Sequence, residues 1–168
     1  MSGSDAVVDN AAAAAEIIAA LTRSRTTIAV AESLTGGLLC SALVDVPGAS
    51  AVLRGGVVAY DTAVKHSVLG VDAEVLAAHG PVHPDVAMQM AVGVRSALAV
   101  EGVPAEIGIS TTGAAGPDPQ DGAAPGTVYV GVAIGADVRS HALELEGDRA
   151  AIRAETVRVA LRILRDSL

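Results

Sequence analysis

The run Thr26–Ala31 (TTIAVA) constrains this chain most: short, apolar and β-branched, it reads as a buried strand. Leu53–Tyr60 (LRGGVVAY) reads as a second strand, with Gly55–Gly56 as a kink or a close backbone approach. Helical spacing places a helix over Ala11–Thr22, an apolar helix over about Leu38–Val44, a short helix capped by Asp61 and another starting at Asp72 and ending near Gly80. Pro84–Asp85 opens a longer helix to about Val100. Ala105–Thr111, Gly126–Ile134 and Val138–Glu146 read as further strands, the last two joined by a Gly135–Asp137 hairpin turn, and a helix spans Asp148–Arg165. Strands joined through helices and followed by a hairpin predict an α/β fold. The expected form is a three-layer α/β/α sandwich around a mixed, mostly parallel sheet. Residues 1–10 are expected to be a flexible tail and residues 11–168 a single domain.

With no Phe and no Trp, the core has to be built from many small aliphatic side chains. The lone cysteine, Cys40, excludes an internal disulfide framework and fits a reducing cytoplasm. A net charge of −8 argues against a broad nucleic-acid-binding surface but permits a local cationic pocket for a small anion. No secretory signal is evident, and no apolar run has a membrane-spanning length. The many apolar helix positions predict a homo-oligomer. His66, His79, His83 and His141 show no metal-ligand spacing, so no metal is expected.

Five constellations carry candidate chemistry. In AESLTGG, Ser33 sits where a buried strand turns into a helix, with Thr35, Gly36 and Gly37 behind it. Amides at such a corner could steady an oxyanion or hold a phosphate, though the same residues would also serve as an N-cap with tight-packing glycines. Lys65 is the only lysine among eleven Lys and Arg residues. A lysine can give up its proton when desolvated, which an arginine cannot; a chance surface position would look the same. Tyr60, just before the Lys65 helix, could orient that amine, donate to a substrate or simply pack at a strand end. Thr112 and Gly113 open a flexible loop whose hydroxyl and amides could meet a phosphate or amide, or form an ordinary turn. Arg149 and Arg153 share one helix face and could grip a phosphate or lie on a solvated surface, the reading given to Arg158, Arg162 and Arg165.

AESLTGG, RGGVVAYDTAVK, HGPVHPDVAMQMAVGVR, TTGAAGP, PGTVYVGVA and GDRAAIRAETV occur in this order over nearly the whole chain from Thr26. In that order they resemble the CinA C-terminal domain family, which includes stand-alone nicotinamide mononucleotide deamidases. The resemblance implies hydrolysis of the nicotinamide carboxamide to nicotinate mononucleotide and ammonia by a Ser–Lys arrangement, with no metal or cofactor. It places the nucleophile on Ser33, the base on Lys65 and the associated tyrosine on Tyr60. Substrate contacts fall on Thr112, Gly113, Arg149 and Arg54. By their chemistry, the amides around Thr35, Gly36 and Gly37, or those of Thr112 and Gly113, are candidate oxyanion donors. Two positions depart from the family pattern: Leu34 stands where a cysteine is usual, and Ala124 replaces a lysine before Pro125. The alternative is a non-catalytic binding module of the same fold, linked to competence or DNA-damage responses.

Overall fold

In the computed structural model, which describes the backbone of residues 3–168 and the side chains of residues 10–168, β1 (Ile28–Glu32) is buried along its whole length. It pairs in parallel with β2 (Leu53–Val58) on one side and β3 (Ile107–Gly113) on the other. Beyond β3, the antiparallel β4 (Thr127–Ile134) and β5 (Asp137–Glu144) complete a five-stranded sheet of order β2-β1-β3-β4-β5. Four strands therefore point the same way and only β4 is reversed, as a mixed, mostly parallel sheet requires.

Helices cover both faces. On one lie α1 (Gly3–Ser24), α2 (Leu38–Val44) and α6 (Arg149–Asp166), whose Ile17, Leu21, Leu39, Leu43, Leu161 and Leu164 pack on Ile28, Val30, Ile107 and Ile109. On the other, α5 (Pro84–Ala97) rests through Val86, Met90 and Val94 on Ala29 and Ala31, beside α3 (Thr62–Ser67) and α4 (Ala73–His79). Alternate β1 residues thus serve opposite faces.

The α5 face is lined with very small residues, so that helix comes unusually close. A Cβ on Gly108 would lie 1.8 Å from the Ala91 carbonyl oxygen, and Ser110 Oγ donates to the Ala87 carbonyl at 2.6 Å. This close approach explains how a chain without Phe or Trp fills its interior.

Most predicted elements are present, with shifted ends. Over the expected tail at residues 1–10 the backbone is instead helical from Gly3, because α1 extends back from its alanine-rich stretch; Met1 and Ser2 lie outside the described residues. The Asp61, Asp72 and Asp148 side chains accept from Ala63, Glu74 and Ala151 N–H groups, capping α3, α4 and α6. Among the described residues, no helix is long and apolar enough to cross a membrane.

The connection from β1 to β2 runs through α2 on one face, and that from β2 to β3 through α3, α4 and α5 on the other. β1 is therefore the strand at which the winding reverses. In such sheets the crevice for ligands opens beyond the carboxyl ends of the strands at that point.

Candidate active site

Ser33 follows directly from the carboxyl end of β1. Its N–H donates to the Thr111 carbonyl at 2.9 Å, extending the β1–β3 ladder by one residue before the chain turns. Thr35 and Thr111 share a buried hydroxyl–hydroxyl hydrogen bond of 2.7 Å, which ties the turn to β3 a second time. Gly36 and Gly37 take φ values of 61° and 99°, a left-handed backbone that admits glycine without strain and reverses the chain into α2.

Lys65 reaches this corner from α3. Its Nζ lies 3.0 Å from Ser33 Oγ and donates to the Ala59 carbonyl at 2.7 Å. Ala59 in turn donates its N–H to the Glu32 carbonyl at 2.8 Å, so the residue after β2 links the serine strand to the amine. Lys65 is 1% exposed and Ser33 8% exposed. Burial lowers the Lys65 pKa from 10.5 to about 8, while the nearby Asp61 carboxylate pulls the other way. The pair is thus a hydroxyl and an amine, thirty-two positions apart in the chain, in hydrogen-bonding contact.

Glu32, the residue before Ser33 and one that no local sequence signal marks out, is buried beside this pair. Its carboxylate accepts the N–H groups of Gly37, Leu39 and Cys40 at 2.9, 3.1 and 2.8 Å. The expectation that α2 presents free amides to an anion is corrected by this contact. The protein's own carboxylate occupies the start of the helix, and the Gly36 N–H is spent on the Ser33 carbonyl. Burial, with Glu32 nearby, also raises the Cys40 thiol pKa.

The other expected residues divide. Tyr60 is 60% exposed, and its hydroxyl accepts from Arg149 Nη2 at 2.8 Å rather than contacting the Lys65 amine. Arg149 Nη1 donates to the Gly116 carbonyl at 2.9 Å, so Tyr60, Arg149 and the loop after β3 form one rim. Arg153, one turn further along α6, points inward: Nε and Nη2 donate to the Leu34 and Thr35 carbonyls at 2.8 and 3.0 Å. Thr112 Oγ1 donates to the Pro81 carbonyl at 2.7 Å, anchoring the segment between α4 and α5. Gly113 is pressed against β4, where a Cβ would lie 2.7 Å from the Thr127 carbonyl oxygen.

Arg54 is not brought to this site. Ile28 pairs with Leu53 and Ala29 with Gly55, so Arg54 is the extra residue of a bulge at the opening of β2. Ser33 lies past the other end of the parallel strands, roughly 13 Å away at ~3.3 Å per residue. Arg54 Nε is buried without a hydrogen-bond partner. The residue shares a sequence block with Tyr60 and Lys65 but lies at the opposite end of the parallel strands. Among the described residues, no group of three or more His, Cys, Asp or Glu side chains is arranged to hold a metal.

The sequence profile of the CinA C-terminal domain matches residues 10–168. The chain belongs to the CinA C-terminal domain family. A "CinA-like protein" of Frankia casuarinae is 47% identical over 152 residues, covering 90% of this chain and 34% of that protein. A "putative competence-damage inducible protein" of Geobacillus kaustophilus is 48% identical over 143 residues, covering 84% and 33%. This chain therefore spans about a third of the length of these curated relatives. Among solved structures, the competence damage-inducible protein A of Klebsiella pneumoniae superposes with a TM-score of 0.85 at 33% identity, covering 94% of this chain and 95% of that one. The competence/damage inducible protein CihA of Agrobacterium tumefaciens gives 0.84 at 34%, covering 93% of each. The α/β architecture is thus that of the CinA superfamily.

Proposed function

We propose that this CinA C-terminal domain hydrolyses the carboxamide of nicotinamide mononucleotide, giving nicotinate mononucleotide and ammonia. The observation that carries the reading is the 3.0 Å contact between Lys65 Nζ and Ser33 Oγ inside a buried corner. An amide needs a nucleophile, a base that later returns its proton to the leaving nitrogen, and donors for the tetrahedral oxyanion. Neutral Lys65 takes the Ser33 hydroxyl proton as Oγ bonds to the carboxamide carbon. The tetrahedral intermediate collapses, the C–N bond breaks, and Lys65 returns the proton to the departing ammonia. Water, deprotonated by Lys65, then cleaves the Ser33 ester to release the carboxylate and regenerate the hydroxyl.

The choice among carboxamides follows the family resemblance. It is supported by Arg149 on the rim, whose guanidinium can meet a phosphate. A cationic pyridinium beside Lys65 would favour the neutral amine further. The mechanism calls for no metal or cofactor. The reading places the protein in the cytoplasm, as a homo-oligomer that turns over a small molecule.

The test is ammonia release from nicotinamide mononucleotide by the pure protein, with and without EDTA, and by Ser33→Ala. The reading expects metal-independent release that Ser33→Ala abolishes. A concentrated wild-type sample that binds the nucleotide but releases no ammonia would overturn it in favour of the non-catalytic module.

A further inference from the structure

We propose that the cleft between α1, α2 and α6 is a second binding site, which takes an organic ammonium ion with an apolar body.

These helices close on one another where they carry large side chains: Ile17 and Leu21 of α1, Leu43 of α2 and Leu161 of α6 belong to one buried cluster. Where the facing positions are Ala11, Ala15, Ala42 and Ala154, the side chains are too short to meet, and a cleft of about 530 Å³ is left. That volume lies within the range of small-molecule sites. Leu38, 42% exposed, continues the apolar wall with Val46 and Pro47.

The apolar wall sets how much the cleft can hold, and its polar groups set what. Among the described residues that line it, none is Lys, Arg or His, and Asp45 alone carries a charge. Asp45 is exposed, and its carboxylate meets no donor among the described residues. It stands at the C-terminal end of α2. There the Val46 N–H closes on the Leu43 carbonyl at 3.3 Å, which leaves the Ala42 carbonyl without a backbone donor. A carboxylate beside the carbonyls of a helix end favours a cation. Asn10, on the α1 wall, keeps its side-chain oxygen buried with no donor to meet it. The cleft is thus supplied with acceptors and short of donors.

A ligand that fits has apolar surface for the alanine and leucine walls, N–H groups to donate and a positive charge. An ammonium group on an apolar body meets all of these, with donors and no acceptor. A phosphate or a carboxylate would find no partner, so the cleft does not repeat the chemistry of the Arg149 rim. It is also separate from the Ser33 corner. Lys65 arrives from α3 on the α5 side of the sheet, whereas α1, α2 and α6 cover the other side.

The experiment follows the backbone amide signals of the isotope-labelled full chain by NMR while probes of one shape are added: phenethylamine, neutral phenethyl alcohol and anionic hydrocinnamate. Phenethylamine at neutral pH and low salt is expected to shift the Leu38, Ser41, Ala42 and Val46 signals saturably, with a Kd on the order of 1 mM. The alcohol is expected to bind about threefold to tenfold more weakly, and the carboxylate more weakly still. Asp45→Asn is expected to bring the amine to the alcohol's level while leaving the alcohol unchanged, and added salt to do the same. Ala15→Leu fills the cleft from an exposed helix position, so it is expected to keep its Tm and lose the amine.

Ser33→Ala is expected to bind the amine as wild type does, so the inference stands even if no ammonia is released and the deamidase reading falls. No saturable binding, equal affinity for amine and alcohol, or an Asp45→Asn protein that still prefers the amine overturns the inference. Shifts confined to the surroundings of Ser33 and Lys65 overturn it too. If the Leu38 to Val46 signals instead move with protein concentration, and sedimentation follows them, a second copy covers this face and the inference falls.

Discussion

Lys65 Nζ lies closer to the Ala59 carbonyl oxygen, at 2.7 Å, than to Ser33 Oγ, at 3.0 Å. A carbonyl oxygen can only accept, so one amine proton is committed to Ala59. Once the amine is neutral its lone pair can face the serine, which is the orientation a base requires. Because burial lowers the Lys65 pKa to about 8, the competent fraction grows as pH rises toward that value. The expected kcat/KM profile for ammonia release climbs about tenfold per pH unit below pH 8 and levels above it. A profile flat from pH 6 to 9 would remove Lys65 as the base.

The same group links pH to stability. The folded pKa of about 8 lies below the ordinary value of 10.5, so between these values the unfolded chain binds more protons than the folded one. Stability therefore rises as pH increases through that window, and the cost of burying the charged amine is fully present below it. Lys65→Met is expected to be inactive yet more stable at pH 7, by up to an order of 3 kcal/mol. Denaturant unfolding of both proteins at pH 7 and pH 10 checks this, the difference shrinking at the higher pH.

Glu32→Gln tests the carboxylate at the start of α2. A carboxamide keeps one acceptor oxygen but turns a donor group toward N–H groups that need acceptors. The expected loss is about 2–4 kcal/mol, seen as a Tm lower by roughly 5–15 °C. An unchanged Tm would mean that the helix start is satisfied without Glu32.

Arg149 and Tyr60 test the rim. Removing a hydrogen bond to a charged group costs about 1.5–3 kcal/mol, a factor of roughly ten to a hundred in binding. Arg149→Ala is expected to raise KM for nicotinamide mononucleotide by that factor while sparing the riboside without phosphate. Tyr60→Phe should give a smaller change in the same direction with Tm nearly unchanged. Equal effects on both substrates would place the phosphate elsewhere.

Gly108→Ala tests the approach of α5. The added Cβ meets the Ala91 carbonyl 1.8 Å away, and backbone on both sides has to move. Thermal unfolding is expected to show a loss of about 3 kcal/mol or more.

The parts of the molecule legible from sequence are those whose cause is local. Asp61, Asp72 and Asp148 cap their helices because an N-cap needs only a side-chain oxygen and an amide two or three residues on. The β1 run specifies a buried strand without reference to its neighbours. Glu32 was invisible for the opposite reason: its partners depend on how sharply the chain reverses after Ser33. A buried carboxylate followed closely by two glycines is the one signal that could have suggested it. Arg54 shows that sharing a sequence block with site residues is insufficient, because a strand carries its first residue and the residues that follow it to opposite ends of the sheet. Arg149 and Arg153 lie one turn apart on α6, yet one meets the rim and the other the turn beneath it. Only the position of α6 over the Ser33 turn separates their roles.

The chain has a single lysine, and that lysine is shut inside the protein. Amine-directed acylating reagents should therefore reach the Lys65 nitrogen only when the corner opens. The growth of Lys65 acylation with time would then clock the opening of this one corner, with no engineered label.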